Sequence, residues 1–193
     1  GSDQFRYFML REVPLGQDGD FSEKSFIKRI NSDLSNSLGN LIQRTLKLHF
    51  KHFENKIQIS LHENRISQEI LDEGYSLFST IDKNIENFEY NKGLEKIWSY
   101  INKLNQYIDK QEPWNLVKGD KIKASEILTI LIESFRLIGI ILQPFIPDAS
   151  NKILNLLNVD INEREFSFYN KENFLKKGTI INNPESLFPR YNV

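Results

Sequence analysis

The chain has 193 residues, 25 Lys or Arg against 26 Asp or Glu, no Cys and a formal net charge of -1. At roughly 100–200 residues per domain that is one domain with at most a short appendage, able to bury an ordinary core, and a composition of 39% hydrophobic and 26% charged residues excludes wholesale disorder. It also excludes a run of 18 apolar residues long enough to span a membrane, disulfides, thiolate metal sites and a Cys nucleophile, and near-neutrality argues against broad phosphate-driven binding of nucleic acid.

Gly1-Ser2 reads as a cloning remnant, and the sole Met, Met9, is internal, so the expectation is a piece of a longer protein. No signal peptide is visible, and the Cys-free, Lys-rich composition points to the cytoplasm. Residues 4–12 carry a helix-compatible apolar pattern, followed by Pro14 and an acidic loop, Gly16-Gln17-Asp18-Gly19-Asp20. Ser22 suits an N-cap. Phe26, Ile27, Ile30, Leu34, Leu38, Leu41, Ile42 and Leu46 then recur at helical spacing, with Gly39 marking close packing or a bend.

A polar stretch over 55–65 interrupts the pattern. A second helix carries Ile66, Ile70, Leu71, Phe78, Ile81 and Ile85; a third starts near Asn91 and is stopped by Pro113. Lys118 to Leu142 is apolar nearly all round and is expected at the centre. Pro144 and Pro147 end it, a short helix spans 148–157, and from about residue 160 a weakly periodic tail with Phe166, Phe168, Phe188 and Tyr191 is expected to pack back. The fold class is therefore all-α, a helical bundle of about five main helices.

Catalytic constellations are nearly absent. His49 and His52 share a helix face without a third ligand one turn away, so a solvated face competes with a metal site; the third histidine is His62. Asp18-Gly19-Asp20 lacks the spaced glutamate of a calcium loop and reads as a turn. Charge is uneven: residues 28–56 carry +4 and the rest of the chain -5, either a solvated helix face or a local anion-binding surface. Trp114 follows Pro113 at a polar helix end, either capping the core or offering a face for stacking, whereas Trp98 has core spacing. Asn40 and Arg44, four apart, share a helix face and carry the groups that read base edges or phosphates.

Several segments resemble the C-terminal part of the methionyl-tRNA synthetases: residues 6–13, Gly16 to Ser22, Asn31 to Leu41 (the most specific), Asn105 to Asp109 with Pro113-Trp114, Gln143 to Pro147, and Leu187 to Arg190. The resemblance runs in order along nearly the whole chain. It implies a class I enzyme that joins methionine to its tRNA using ATP, with a catalytic domain upstream bearing His-Ile-Gly-His and Lys-Met-Ser-Lys-Ser signatures that this sequence lacks; His49-Phe50-Lys51-His52 matches the first only in the spacing of its histidines.

By that resemblance, residues 3–24 are a remnant of the stem-contact region and 25–193 a helical anticodon-binding domain with its tail packed on it. Asn40, Arg44 and Trp114 match the anticodon readers, with Pro113 fixing the tryptophan's approach and Lys47 and Lys51 beside the loop's phosphates. The implied partner is the anticodon loop of methionine tRNA, with neither membrane nor DNA, for a monomer of the shorter type. The segment alone is expected to be catalytically silent and without a cofactor; ATP, and zinc where present, belong to the catalytic domain. A helical protein-interaction domain, and the anticodon domain of a related synthetase for valine, isoleucine, leucine or cysteine, are the competing readings.

Overall fold

The structure is a computed structural model that describes residues 1–12, 21–61 and 68–191. The acidic loop at 16–20, His62 and the expected helix start at Ile66 lie outside the described residues. Most of the described chain is helical: α1 (Ser2–Glu12), α2 (Glu23–Arg29), a π-helical segment (Ile30–Gly39), α3 (Asn40–His52), α4 (Gln68–Glu86), α5 (Tyr90–Gln111), α6 (Pro113–Leu116), α7 (Lys121–Ile141) and α8 (Pro147–Leu156). Ser22 caps α2 as expected, its Oγ accepting from Ser25 N at 3.1 Å. Helices α2, π and α3 are consecutive, so Glu23 to His52 forms one rod, and with α4, α5, α7 and α8 it makes the five main helices of the bundle. No described helix is long and apolar enough to cross a membrane.

Helix α7 is the central post. Every residue from Ile127 to Ile141 is buried, which follows from its all-round apolar sequence. Against it pack α3, α4, α5, α6 and α8. Two charged residues within it, Glu133 and Arg136, are also fully buried. Glu133 Oε1 accepts from Arg136 Nη2 at 2.6 Å and Nε at 2.9 Å, and from the Tyr75 hydroxyl at 2.9 Å; its Oε2 accepts from Leu175 N at 2.9 Å. Arg136 Nη1 donates to Phe168 O at 2.9 Å. The pair thus pins the tail, whose main-chain groups complete the hydrogen bonding a buried charge requires. Tyr169 is buried with its hydroxyl on Gly74 O at 2.6 Å, Phe78 lies 5.4 Å from Phe166, and Phe188 is buried. The tail packs back, with Phe166 itself left half-exposed.

Helix α1 lies against α5, α8 and the π segment, with Tyr7 and Phe8 in the core. The Tyr7 hydroxyl donates to Asp33 Oδ2 at 2.7 Å, and Asp3 accepts from Ala149 N at 2.7 Å near the start of α8.

The π segment is the one departure from simple helix geometry within the rod. Asn40 N–H donates to Ser35 O, a span of five residues, and such wide turns are rare and usually short. A Cβ on Gly39 would sit 3.0 Å from Leu34 O and 3.3 Å from a Phe188 ring carbon. The glycine therefore marks close packing rather than a sharp bend. Two carbonyls of this segment accept side-chain bonds from α5: Asp33 O from Trp98 Nε1 at 3.3 Å, and Ser37 O from Asn105 Nδ2 at 3.1 Å. Trp98 is buried, as its spacing suggested.

Candidate nucleic-acid interface

Asn40 is the first residue of α3 and Arg44 lies one turn on, so both project from the same face. Asn40 is exposed, and its amide has no hydrogen-bond partner among the described residues. Arg44 is held. Its Nη1 donates to Asp109 Oδ1 at 2.7 Å and its Nη2 to Asn105 Oδ1 at 3.1 Å. Asn105 and Asp109 are themselves one turn apart on α5. The Asn105 amide nitrogen bonds Ser37 O and Ile101 O, both at 3.1 Å, so one side chain ties α5 to the π segment and aims the guanidinium. The Arg44 side chain stays 29% exposed, leaving part of its donor fork open to a ligand.

Helix α5 ends two residues after Asp109. Glu112 takes a left-handed conformation, φ 44° and ψ 54°, with its N–H on Ile108 O. Pro113 then opens α6 at the first helical position, where its fixed φ suits the turn and its missing N–H leaves no bond unmade. Pro113 is buried, and the Trp114 ring that follows is 38% exposed. The left-handed turn and the proline thus leave an exposed indole just past the end of α5, the helix whose Asp109 and Asn105 fix the Arg44 fork. That exposure contrasts with the 5% of Trp98.

Lys47 and Lys51 are exposed on α3 and make no ion pair among the described residues. The +4 of residues 28–56 is not spread evenly over the surface: Arg44 is paired with Asp109, and Arg29 with Glu12 and Asp33. The free positive charge of α3 itself therefore resides in its lysines.

The histidines of α3 separate. His49 is 1% exposed and its ring stacks on Phe53 with centroids 5.6 Å apart. Burial pushes it down to about 4, against a smaller opposing pull from the Lys56 main chain. His52 is half-exposed; partial burial, then the charges of Lys51 and Lys121, pull it below the ordinary histidine value. Among the described residues no group of three His, Asp or Glu could hold a metal ion.

Residues 60–192 match the family described as the anticodon-binding domain of methionyl tRNA ligase, and residues 1–46 match the class I tRNA synthetases of the methionine type. The chain belongs to the methionyl-tRNA ligase family. It is 42% identical to the methionine–tRNA ligase of Rickettsia felis over 99% of this chain and 38% of that protein, and 37% identical to that of Clostridium acetobutylicum over 100% and 30%. The apo crystal structure of Mycobacterium tuberculosis methionyl-tRNA synthetase superposes with a TM-score of 0.94 at 33% identity, covering 100% of this chain and 39% of that one. The chain spans about a third of the length of its curated relatives. Asn40 and Arg44 fall within the first matched segment and Pro113-Trp114 within the second. The Arg44–Asp109 pair therefore bridges the two segments.

Sequence reasoning did not assign roles to Asp109 and Asn105. Their signal was present, two polar residues one turn apart on a helix whose other face is apolar, but only the fold shows that this face meets Arg44.

Proposed function

We propose that the end of the bundle formed by α3, α5 and α6 reads the CAU anticodon of methionine tRNA, and that the chain is the anticodon-recognition part of a methionine–tRNA ligase, which attaches methionine to tRNA using ATP. The observation that carries this reading is the exposed Trp114 indole on the proline-started turn that follows α5, the helix whose Asp109 and Asn105 fix the Arg44 guanidinium one helical turn from the free Asn40 amide. An anticodon is a single-stranded loop whose bases can unstack and be read on their edges. Trp114 takes a splayed base on its face, an interaction of about 1–3 kcal/mol. Asn40 supplies a paired donor and acceptor, and Arg44 a fork already in place, so little ordering is needed on binding. A wrong base leaves these groups unpaired. Lys47 and Lys51 lie beside the loop's phosphates and add affinity without sequence preference.

On this reading the chain acts as a cytoplasmic monomer on RNA, with neither DNA nor membrane as partner. It binds no cofactor of its own; ATP, and zinc where the parent enzyme has it, belong to the catalytic part, whose signatures are absent from this sequence.

Trp114→Ala is expected to weaken binding of a CAU anticodon stem-loop at least tenfold with unchanged far-ultraviolet circular dichroism. Unchanged affinity would remove the stacking role. Arg44→Lys keeps the charge but not the fork, so discrimination between CAU and altered anticodons is expected to fall more than affinity for CAU itself.

A further inference from the structure

Where α3 ends and α7 begins, a cleft of about 390 Å³ opens between His52, Glu54, Lys121, Ile122 and Ser125. Ser125 is 3% exposed, and its buried Oγ has no hydrogen-bond partner among the described residues. An unpartnered buried hydroxyl costs free energy unless a ligand satisfies it. Lys121 opens α7, a 21-residue helix whose first main-chain N–H groups face outward with the positive end of the helix dipole. The Asp120 cap carboxylate is already engaged with Lys123 N–H at 3.0 Å. His52 and Lys121 both line the cleft, so two nitrogen-bearing side chains stand on its rim. Ile122, 71% exposed, gives the cleft an apolar flank.

The cleft continues the reading site. His52 lies eight residues beyond Arg44 on α3, about 12 Å along the axis, and Lys47 and Lys51 stand between them on the exposed side. From the other direction, α6 leads from Trp114 into the turn before Lys121.

We propose that this cleft is a phosphate seat for single-stranded RNA, in which Lys121, His52 and Ser125 hold a backbone phosphodiester of the anticodon arm while Ile122 covers its ribose. The proposal rests on the anticodon reading for the identity of the RNA, but it concerns a different set of groups with a different signature. A phosphate contact positions the loop and carries no base preference. Its occupancy follows the counterion rule, in which each contact to a single strand contributes about 0.7 to the slope of log affinity against log salt. Glu54 is the carboxylate on the rim, and it works against an anion.

The test is binding of the whole chain to a CAU stem-loop and to one with an altered anticodon, by fluorescence anisotropy across a series of salt concentrations. Lys121→Gln is expected to weaken both stem-loops by the same factor, about three- to tenfold at low salt, and to flatten the salt slope by about 0.7. His52→Gln and Ser125→Ala should each weaken both equally by a smaller factor. Glu54→Gln should tighten both, an opposite sign that loss of folding cannot produce.

An unchanged affinity and slope for Lys121→Gln, with Trp114→Ala still losing tenfold, overturns the phosphate seat and leaves the anticodon reading standing. Equal binding of both stem-loops by the unaltered chain, unaffected by Trp114→Ala but flattened by Lys121→Gln, keeps the seat and overturns the anticodon reading. Absence of binding to either stem-loop overturns both.

Discussion

Two arginine–carboxylate pairs, built from the same chemistry, sit in opposite surroundings, one in the core and one at the surface. Arg136 and Glu133 sit on the central helix with side chains 2% and 0% exposed, and the Tyr75 hydroxyl and main-chain groups of the tail complete their hydrogen bonding. Arg44 and Asp109 join α3 to α5 with side chains 29% and 60% exposed. A buried charge must have its bonding capacity filled from within the protein, and one so satisfied has little left for a ligand. A half-exposed arginine that spends one bond from each Nη, with its Nε buried, keeps direction and still has a second hydrogen on each Nη to give. The difference teaches that burial, rather than the pairing itself, separates the structural arginine from the one fit for recognition.

The comparison is broken most forcefully at the buried pair. Arg136→Leu leaves Glu133 charged or forces it to take up a proton inside the core, and frees Phe168 O and Asn170 O of a donor. The expected cost is about 3–5 kcal/mol in urea unfolding, with the tail from 166 to 175 the first region to lose amide-exchange protection. A loss below about 1 kcal/mol would place this pair with the exposed one.

Helix α3 contains both regimes within five residues, Arg44 half-exposed and His49 buried. The depressed His49 ring binds a proton in the folded chain only near pH 4, against an ordinary value of 6.5 when unfolded. Both states are neutral at His49 above about pH 7. Below 6.5 the unfolded state takes up the proton first, so stability falls as pH falls, by about 1.4 kcal/mol per pH unit, until the folded ring titrates as well. Between pH 7 and 5 this single residue is expected to remove about 2 kcal/mol. His49→Leu should flatten the urea-midpoint profile over that range by this amount; an unchanged profile would mean that His49 is protonated in the fold.

The bundle was legible in the sequence because its signals are local and periodic. Pro113 and Pro147 stop and start helices by geometry alone, Ser22 caps α2, and the all-round apolar run before Leu142 is the central helix. The π segment was not legible, because a five-residue hydrogen-bond span leaves the apolar spacing of Ile30, Leu34 and Leu38 looking like an ordinary helix. The site divided in the same way. Asn40, Arg44 and Trp114 could be picked out by residue type and neighbours, whereas the Asp109 and Asn105 struts and the cleft at Ser125 depend on contacts between helices about 60 or more residues apart. The local charge count over residues 28–56 also changed meaning, since the fold neutralises Arg29 and Arg44 and leaves Lys47 and Lys51 free.

The smallest effect on stability is expected where the effect on recognition is most informative. Asp109→Asn keeps the shape of the strut and an acceptor for Arg44 Nη1 but removes the neutralising charge. Because the pair is largely solvated, folding should change by less than about 1 kcal/mol. The released guanidinium would then attract any nearby phosphate, so stem-loops with altered anticodons should bind more tightly and with a steeper salt dependence. Affinity for CAU should change less if, as proposed, its bases use the oriented fork. The ratio of the two affinities, measured at one salt concentration, should therefore fall while the melting curve barely moves. A ratio that stays constant would mean that Asp109 merely ties α5 to α3, and the exposed pair would then be structural like the buried one.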